Sequence, residues 1–145
     1  MGPNVFRHLH RVTYAECTVG NHIYYSRYLD ILEAARGEFF RQIGQPFARL
    51  QQEDIILPVT EVRLRYKGAA RYDDVLTVEV RVAELARVRV AFSYAIFREP
   101  GSVLVEAVTV HACASTDDKL KRLPADLCAA LRRFVETPAD ERVTG

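Results

Sequence analysis

The sequence predicts an α+β domain in which one long helix packs on about five mostly antiparallel strands. Three observations carry this. Between residues 26 and 43 apolar side chains recur at the helical period, and nowhere else does that period run so long. After residue 58 the period drops to two, in four successive runs. Helix and strands are segregated along the chain rather than alternating, which favours an α+β layer arrangement.

The first strand is expected over residues 7–15, with Val12 and Tyr14 on one face. A polar loop from Glu16 to Asn21 leads into the helix. There Tyr28, Ile31, Leu32, Ala35, Phe39 and Ile43 form one face at three- and four-residue steps. Ser26 can cap the start, Asp30 and Arg41 suit the two ends of the dipole, and Gly44 stands just past the last turn. Leu29, Glu33, Arg36 and Phe40 make a second stripe beside the apolar one. Gly37 costs a helix about 1 kcal/mol relative to Ala, and is read as a close-packing point.

Gln45 to Pro58 is a connection bracketed by Pro46 and Pro58, expected to run back over the surface with a helical turn around Phe47 to Gln52. The strand runs follow. Val62, Leu64 and Tyr66 alternate with Glu61, Arg63 and Arg65. Leu76, Val78, Val80 and Val82 alternate with Thr77, Glu79 and Arg81. Val88, Val90, Phe92, Tyr94 and Ile96 share a face in the third run. In the fourth, Leu104, Val108, Val110 and Ala112 alternate with Val105, Thr109 and His111. Glu99-Pro100-Gly101-Ser102 reads as the hairpin turn between the last two. Pro124 starts a short amphipathic helix with Leu127, Ala130, Leu131 and Phe134 on one face, and the polar tail from Glu136 is expected to fray.

At 145 residues the chain is one domain, 1–145 with its core over about 7–135, and it is long enough to bury a real core. A net charge of +1 gives no reason to expect nucleic acid or an anionic membrane as partner. Three cysteines without paired spacing point to reduced thiols and a cytosolic protein. The run MGPNVFRHLHRV has no apolar signal segment, and no stretch is long enough to span a bilayer. No His/Cys/Asp/Glu grouping has metal-ligand spacing and no glycine-rich phosphate loop is present, so no cofactor is expected.

Thr18-Val19-Gly20-Asn21-His22-Ile23-Tyr24-Tyr25, then Arg27-Tyr28 and Glu33-Ala34-Ala35-Arg36, resembles the helix-start motif of the 4-hydroxybenzoyl-CoA thioesterase branch of the hotdog-fold acyl-CoA thioesterases. The run from Tyr66 to Leu76, with its Tyr72-Asp73-Asp74, resembles that family's entry into its second long strand. The resemblance spans about residues 7–135. It implies a hotdog fold, hydrolysis of an acyl-CoA or carrier-protein thioester to a carboxylic acid and a thiol, and a homo-oligomer, either a dimer or a dimer of dimers. Registered on Tyr24-Tyr25, the family's catalytic Asp falls on Thr18 and its Gly on Asn21.

Thioester hydrolysis needs a donor to polarise the carbonyl and an activated water or nucleophile. By resemblance the donor is a backbone N–H at the helix start, that of Tyr25 or a neighbour, where free amides and the helix dipole meet developing negative charge. Thr18 cannot replace a carboxylate unaided. Glu16, two residues away on a strand end, would point the same way as Thr18. Glu33, beside the buried face, is the better carboxylate candidate if desolvation raises its pKa; the competing reading is a salt bridge to Arg36. A second route is implied by a subgroup of enediyne-pathway hotdog thioesterases. These lack the acid, and they resemble this chain in Gly-Asn before the Tyr pair and in an Arg at the place of Arg36. There neutral groups such as Asn21, with Arg36, would bind water and thioester. His22 and a Cys17/His22 pair are weak candidates, and His111 reads as structural or interfacial. Asp73 and Asp74 read as a turn with an ion pair to Arg71. Tyr24, Tyr25, Tyr28 and Phe39 are candidates to line an acyl pocket. Rival readings are a hotdog domain that binds acyl groups without turnover and, further behind, a hotdog hydratase, whose acid/His arrangement is not found here.

Overall fold

A computed structural model describes residues 4–99 and 101–136. The expected fraying tail from 137 onward, and Pro100 of the expected hairpin turn, lie outside the described residues. In chain order the elements are β1 (Phe6–Arg11), a 3-10 turn (Tyr14–Glu16), α1 (Arg27–Gln42), α2 (Phe47–Gln52), β2 (Val59–Tyr66), β3 (Val75–Leu85), β4 (Arg89–Glu99), β5 (Ser102–Ala112) and α3 (Ala125–Arg132). The strands form one antiparallel sheet ordered β1-β3-β4-β5-β2. One long helix on the inner face of such a sheet is the hotdog arrangement that the resemblance implied.

The stripe predicted for α1 is buried: Tyr28, Ile31, Leu32, Ala35 and Phe39 face the sheet, joined by Phe40. Phe39 is the centre of the core, with its ring against Phe6, Phe92 and Phe134. It is 0% exposed, and it does not line the cavity beside Arg36 as a candidate for an acyl pocket would. Ser26 takes the N-cap position but makes no side-chain cap. A Cβ on Gly37 would meet only Phe47, at an ordinary 3.8 Å, so Gly37 is not a close-packing point. Gly68 is one: a Cβ there would lie 2.9 Å from Leu104 Cδ2.

Four local expectations change. The first strand ends at Arg11, because Thr13 and Glu16 close a capping box on the 3-10 turn. Val12 is therefore 1% exposed while Tyr14, expected on the same face, is 78% exposed. The connection after α1 contains the expected helical turn as α2, yet it is not wholly superficial, since Leu50 and Ile55 are buried. In β5 the inward face carries Val105, Ala107, Thr109 and His111, and the apolar Val108 and Val110 face outward. Both faces of β5 are rich in β-branched residues, so alternation of apolarity could not identify the inner one.

After α3 the chain continues alongside the sheet. Val82 N–H donates to Phe134 O at 2.9 Å and Glu136 N–H to Val82 O at 2.9 Å, beside β3 just beyond the last β1 pair, Phe6 with Val80. Asn4 N–H donates to Arg133 O at 3.1 Å.

Candidate active site

The loop before α1 is a small hairpin. Thr18 N–H donates to His22 O at 2.8 Å, Tyr24 N–H to Glu16 O at 2.9 Å and Asn21 N–H to Thr18 O at 3.0 Å. Gly20 and Asn21 turn the chain with φ of +97° and +66°, a conformation open to glycine and, among other residues, mainly to Asn and Asp. Thr18 and Asn21 thus stand exposed at the tip, and their side chains bond nothing among the described residues. The base of the hairpin is fixed by Ala70, whose carbonyl accepts from Ile23 N–H at 2.9 Å and whose N–H donates to the buried Tyr28 hydroxyl at 3.1 Å. Burial pushes the Tyr28 hydroxyl pKa up.

At the helix start, Tyr25 O accepts from the Tyr66 hydroxyl at 3.1 Å. The Tyr25 and Ser26 N–H groups donate to nothing among the described residues. This is the free-amide arrangement that developing oxyanion charge requires.

Glu16 does not stand with Thr18. Its carboxylate accepts from Thr13 N–H at 2.8 Å and pairs with His10 Nε2 at 2.9 Å. Burial pushes this carboxyl up, but the bonds to Thr13 and His10 outweigh it and leave the group below the ordinary range. A carboxylate so stabilised is a poor base. Asp73 and Asp74 do hold a turn: Asp74 accepts from Arg71 N–H at 2.9 Å and pairs with Arg98, and Asp73 pairs with Arg11 rather than with Arg71. All three cysteines are free thiols.

Glu33 is exposed, not desolvated, and it makes no ion pair among the described residues. Its expected partner Arg36 turns toward the sheet instead. Arg36 is nine residues beyond Arg27, about 14 Å along the axis at about 1.5 Å per residue. Within one protomer Arg36 therefore cannot touch a carbonyl held at the helix start. Thr18, Asn21 and Tyr25 cluster at one end of α1; Glu33 and Arg36 line a cavity of about 200 Å³ further along, with Leu50, Ile55, Leu57 and His111.

Beneath Arg36 lies a hydrogen-bonded chain that the sequence did not reveal. His111 Nδ1 is 2.9 Å from Leu57 O, His111 Nε2 is 2.8 Å from Thr109 Oγ1, the Tyr94 hydroxyl is 2.7 Å from Thr109 Oγ1, and Arg36 Nη1 is 3.0 Å from the Tyr94 hydroxyl. The donors follow from elimination. A carbonyl only accepts, so His111 Nδ1 carries the proton. Burial lowers the His111 pKa to about 4, so the ring is neutral and Nε2 accepts from Thr109. Thr109 then accepts from Tyr94, whose oxygen accepts from Arg36. Burial also pushes the Tyr94 hydroxyl up, against the pull of Arg36. The signal in the sequence was the pair Thr109 and His111 two apart on a strand, legible only once that face is known to be the inner one.

Free amides at the start of the central helix of a hotdog domain are compatible with a thioesterase-like protein. Residues 12–131 match the family model described as the thioesterase-like superfamily, and the chain belongs to that family. It is similar to the acyl-CoA thioester hydrolase YbgC of Escherichia coli, 27% identical over 127 residues that cover 88% of this chain and 92% of that protein. Among solved structures it is similar to a DHNA-CoA thioesterase from Staphylococcus aureus, with a TM-score of 0.83, 27% identity and 89% of each chain covered. It is also similar to a hypothetical protein from Aquifex aeolicus, with a TM-score of 0.82, 28% identity, and 87% of this chain and 98% of that one covered.

Proposed function

We propose that the protein is an acyl-CoA thioester hydrolase whose thioester carbonyl lies against the Tyr25 amide. The observation that carries this is the pair of free N–H groups at the start of α1, with the Tyr25 carbonyl tied back by Tyr66. Water adds to the carbonyl carbon, the oxyanion is stabilised by the amide and the helix dipole, and the C–S bond breaks to give the carboxylic acid and CoA thiol. The loop offers no free carboxylate, so Glu33, unpaired among the described residues, is the general base; it stands six residues beyond Arg27, about 9 Å along α1, and so acts through intervening waters rather than by touching the attacking water. Thr18 and Asn21 supply neutral groups to hold the water.

Release of free thiol from short, long and aromatic acyl-CoAs tests the activity. Glu33→Gln should lower kcat at least about tenfold with KM little changed, since an interaction specific to the transition state is lost. Unchanged turnover in Glu33→Gln would move the base elsewhere. The bound Glu16 and the Thr18 substitution favour one second reading, an acyl-group-binding protein without turnover; tight acyl-CoA binding with no thiol release would select it. A carrier-protein thioester is the alternative substrate. The exposed edge of β2 offers a row of unpaired backbone groups, and pairing it with a second copy would give a homo-oligomer. Light scattering should then exceed the 16.5 kDa of one chain.

A further inference from the structure

Two exposed strips of side chains run from the helix start toward Arg36 and would wall a groove between them. One wall is the stripe of α1 that carries Leu29, Glu33 and Arg36. The other is the inner face of β2, where Val62 and Tyr66 are exposed because β2 lies at the sheet edge. The two walls are joined at both ends. At the near end the Tyr66 hydroxyl reaches Tyr25 O and its ring lies 5.6 Å from that of Tyr28. At the far end Val62 pairs with Thr109, which belongs to the chain beneath Arg36. From Tyr66 to Val62 is about 13 Å at about 3.3 Å per residue. The same span along α1 is about 14 Å. The two strips are thus of comparable length, with free amides near one end and a guanidinium near the other.

The far end opens into the cavity of about 200 Å³. This is room for the end of an acyl group. Its apolar wall comes from Phe47, Leu50, Ile55 and Leu57. His111 has both ring nitrogens engaged. Arg36 gives one N–H to Tyr94 and forms no ion pair among the described residues. A guanidinium has five N–H donors, so Arg36 still has donors to give in this cavity.

We propose that this groove holds the acyl group, and that Arg36 hydrogen-bonds a neutral oxygen, a hydroxyl or keto group, near the acyl group's far end. The inference rests on the thioester carbonyl lying at the Tyr25 amide. It makes the substrate class oxygenated acyl thioesters that span about 13 Å. A carboxylate at the same place is disfavoured, because Glu33 lines the same cavity. Tyr94 and Thr109 are positioning residues: the chain from His111 fixes which N–H of Arg36 points to the sheet and leaves the others for the ligand.

The test uses saturated acyl-CoAs of rising length, each compared with the same chain bearing a terminal hydroxyl and with one bearing a terminal carboxylate. At one length kcat/KM should favour the hydroxylated substrate by about tenfold or more, the scale of a hydrogen bond to a charged group. Shorter chains should show no preference, and the carboxylate no gain. Arg36→Met should abolish the preference, Thr109→Val should weaken it and Thr109→Ser should keep it. S-alkyl-CoA thioethers, which cannot be hydrolysed, read the same discrimination as a ratio of Kd values. Discrimination in binding without any turnover would sink the hydrolase reading and leave this one standing. Turnover without a hydroxyl preference at any length, a preference that survives Arg36→Met, or no binding of any thioether would overturn it.

Discussion

Thr18 and Asn21 stand exposed on a turn at the start of α1, whereas Thr109 and His111 beneath Arg36 are 2% and 1% exposed. Both regions are made of small polar side chains, and both flank the proposed acyl groove. They differ in what satisfies them. The loop side chains look to water or to a ligand, so their identity is free to follow chemistry. The side chains under Arg36 satisfy one another in a fixed order, so each identity is constrained by its neighbours as well as by any ligand. A polar residue in this fold is therefore tied to stability or to function according to where its partner comes from.

The largest effect that would sharpen this contrast is one of pH. His111 has a folded pKa of about 4 against 6.5 unperturbed, so between those values the unfolded chain binds the extra proton. Stability should fall as pH drops through that window, by about 3 kcal/mol in full at about 1.36 kcal/mol per pH unit. Arg36 faces the same ring and disfavours its proton, while Glu33 lines the same cavity, so the measurement is a difference: urea midpoints at neutral and acid pH for wild type and His111→Gln. Equal acid sensitivity in the two would remove His111 from the account.

Thr109→Val comes next. It leaves the buried Tyr94 hydroxyl without an acceptor and His111 Nε2 without a donor, and should cost about 1–3 kcal/mol in chemical denaturation. Thr109→Ser, which keeps the hydroxyl, should cost clearly less. If the two variants melt alike, the chain contributes only packing.

The smallest effect belongs to the loop. Thr18→Ala should change stability by no more than about 0.5 kcal/mol. It should lower kcat, and by less than Glu33→Gln does. A destabilisation as large as that of Thr109→Val would erase the distinction between the two regions.

The long helix, the strand periods and the short helix after Pro124 were legible in the sequence because each rests on a local pattern. The apolar face of β3 was read correctly residue by residue; that of α1 was read correctly except that Phe40, assigned to the second stripe, is buried and Ile43 falls at the C-cap, only partly buried. What failed depended on partners distant in sequence. Glu16 read as a free carboxylate until His10 and Thr13 closed on it. One reading paired Arg36 with Glu33, three residues away; Arg36 bonds Tyr94, 58 positions on, instead. The inner face of β5 was hidden because Val108 and Val110 are as apolar as a core face. The helix-start site was the more legible, since a hairpin and a helix start are short-range structures. The chain under Arg36 was not, because its members come from α1, β4, β5 and the approach to β2.

The bond from Asn4 N–H to Arg133 O brings the two ends of the described chain together beside β3. Connectivity is then separable from architecture. Joining the ends by a short linker and opening the chain at the β4–β5 hairpin, where Gly101 sits exposed at φ +81°, would preserve the strand order and the core while moving both termini to the opposite side of the sequence. Such a circular permutant is expected to unfold cooperatively in a thermal melt. A non-cooperative transition would mean that the β4–β5 turn is needed to set the register of those two strands.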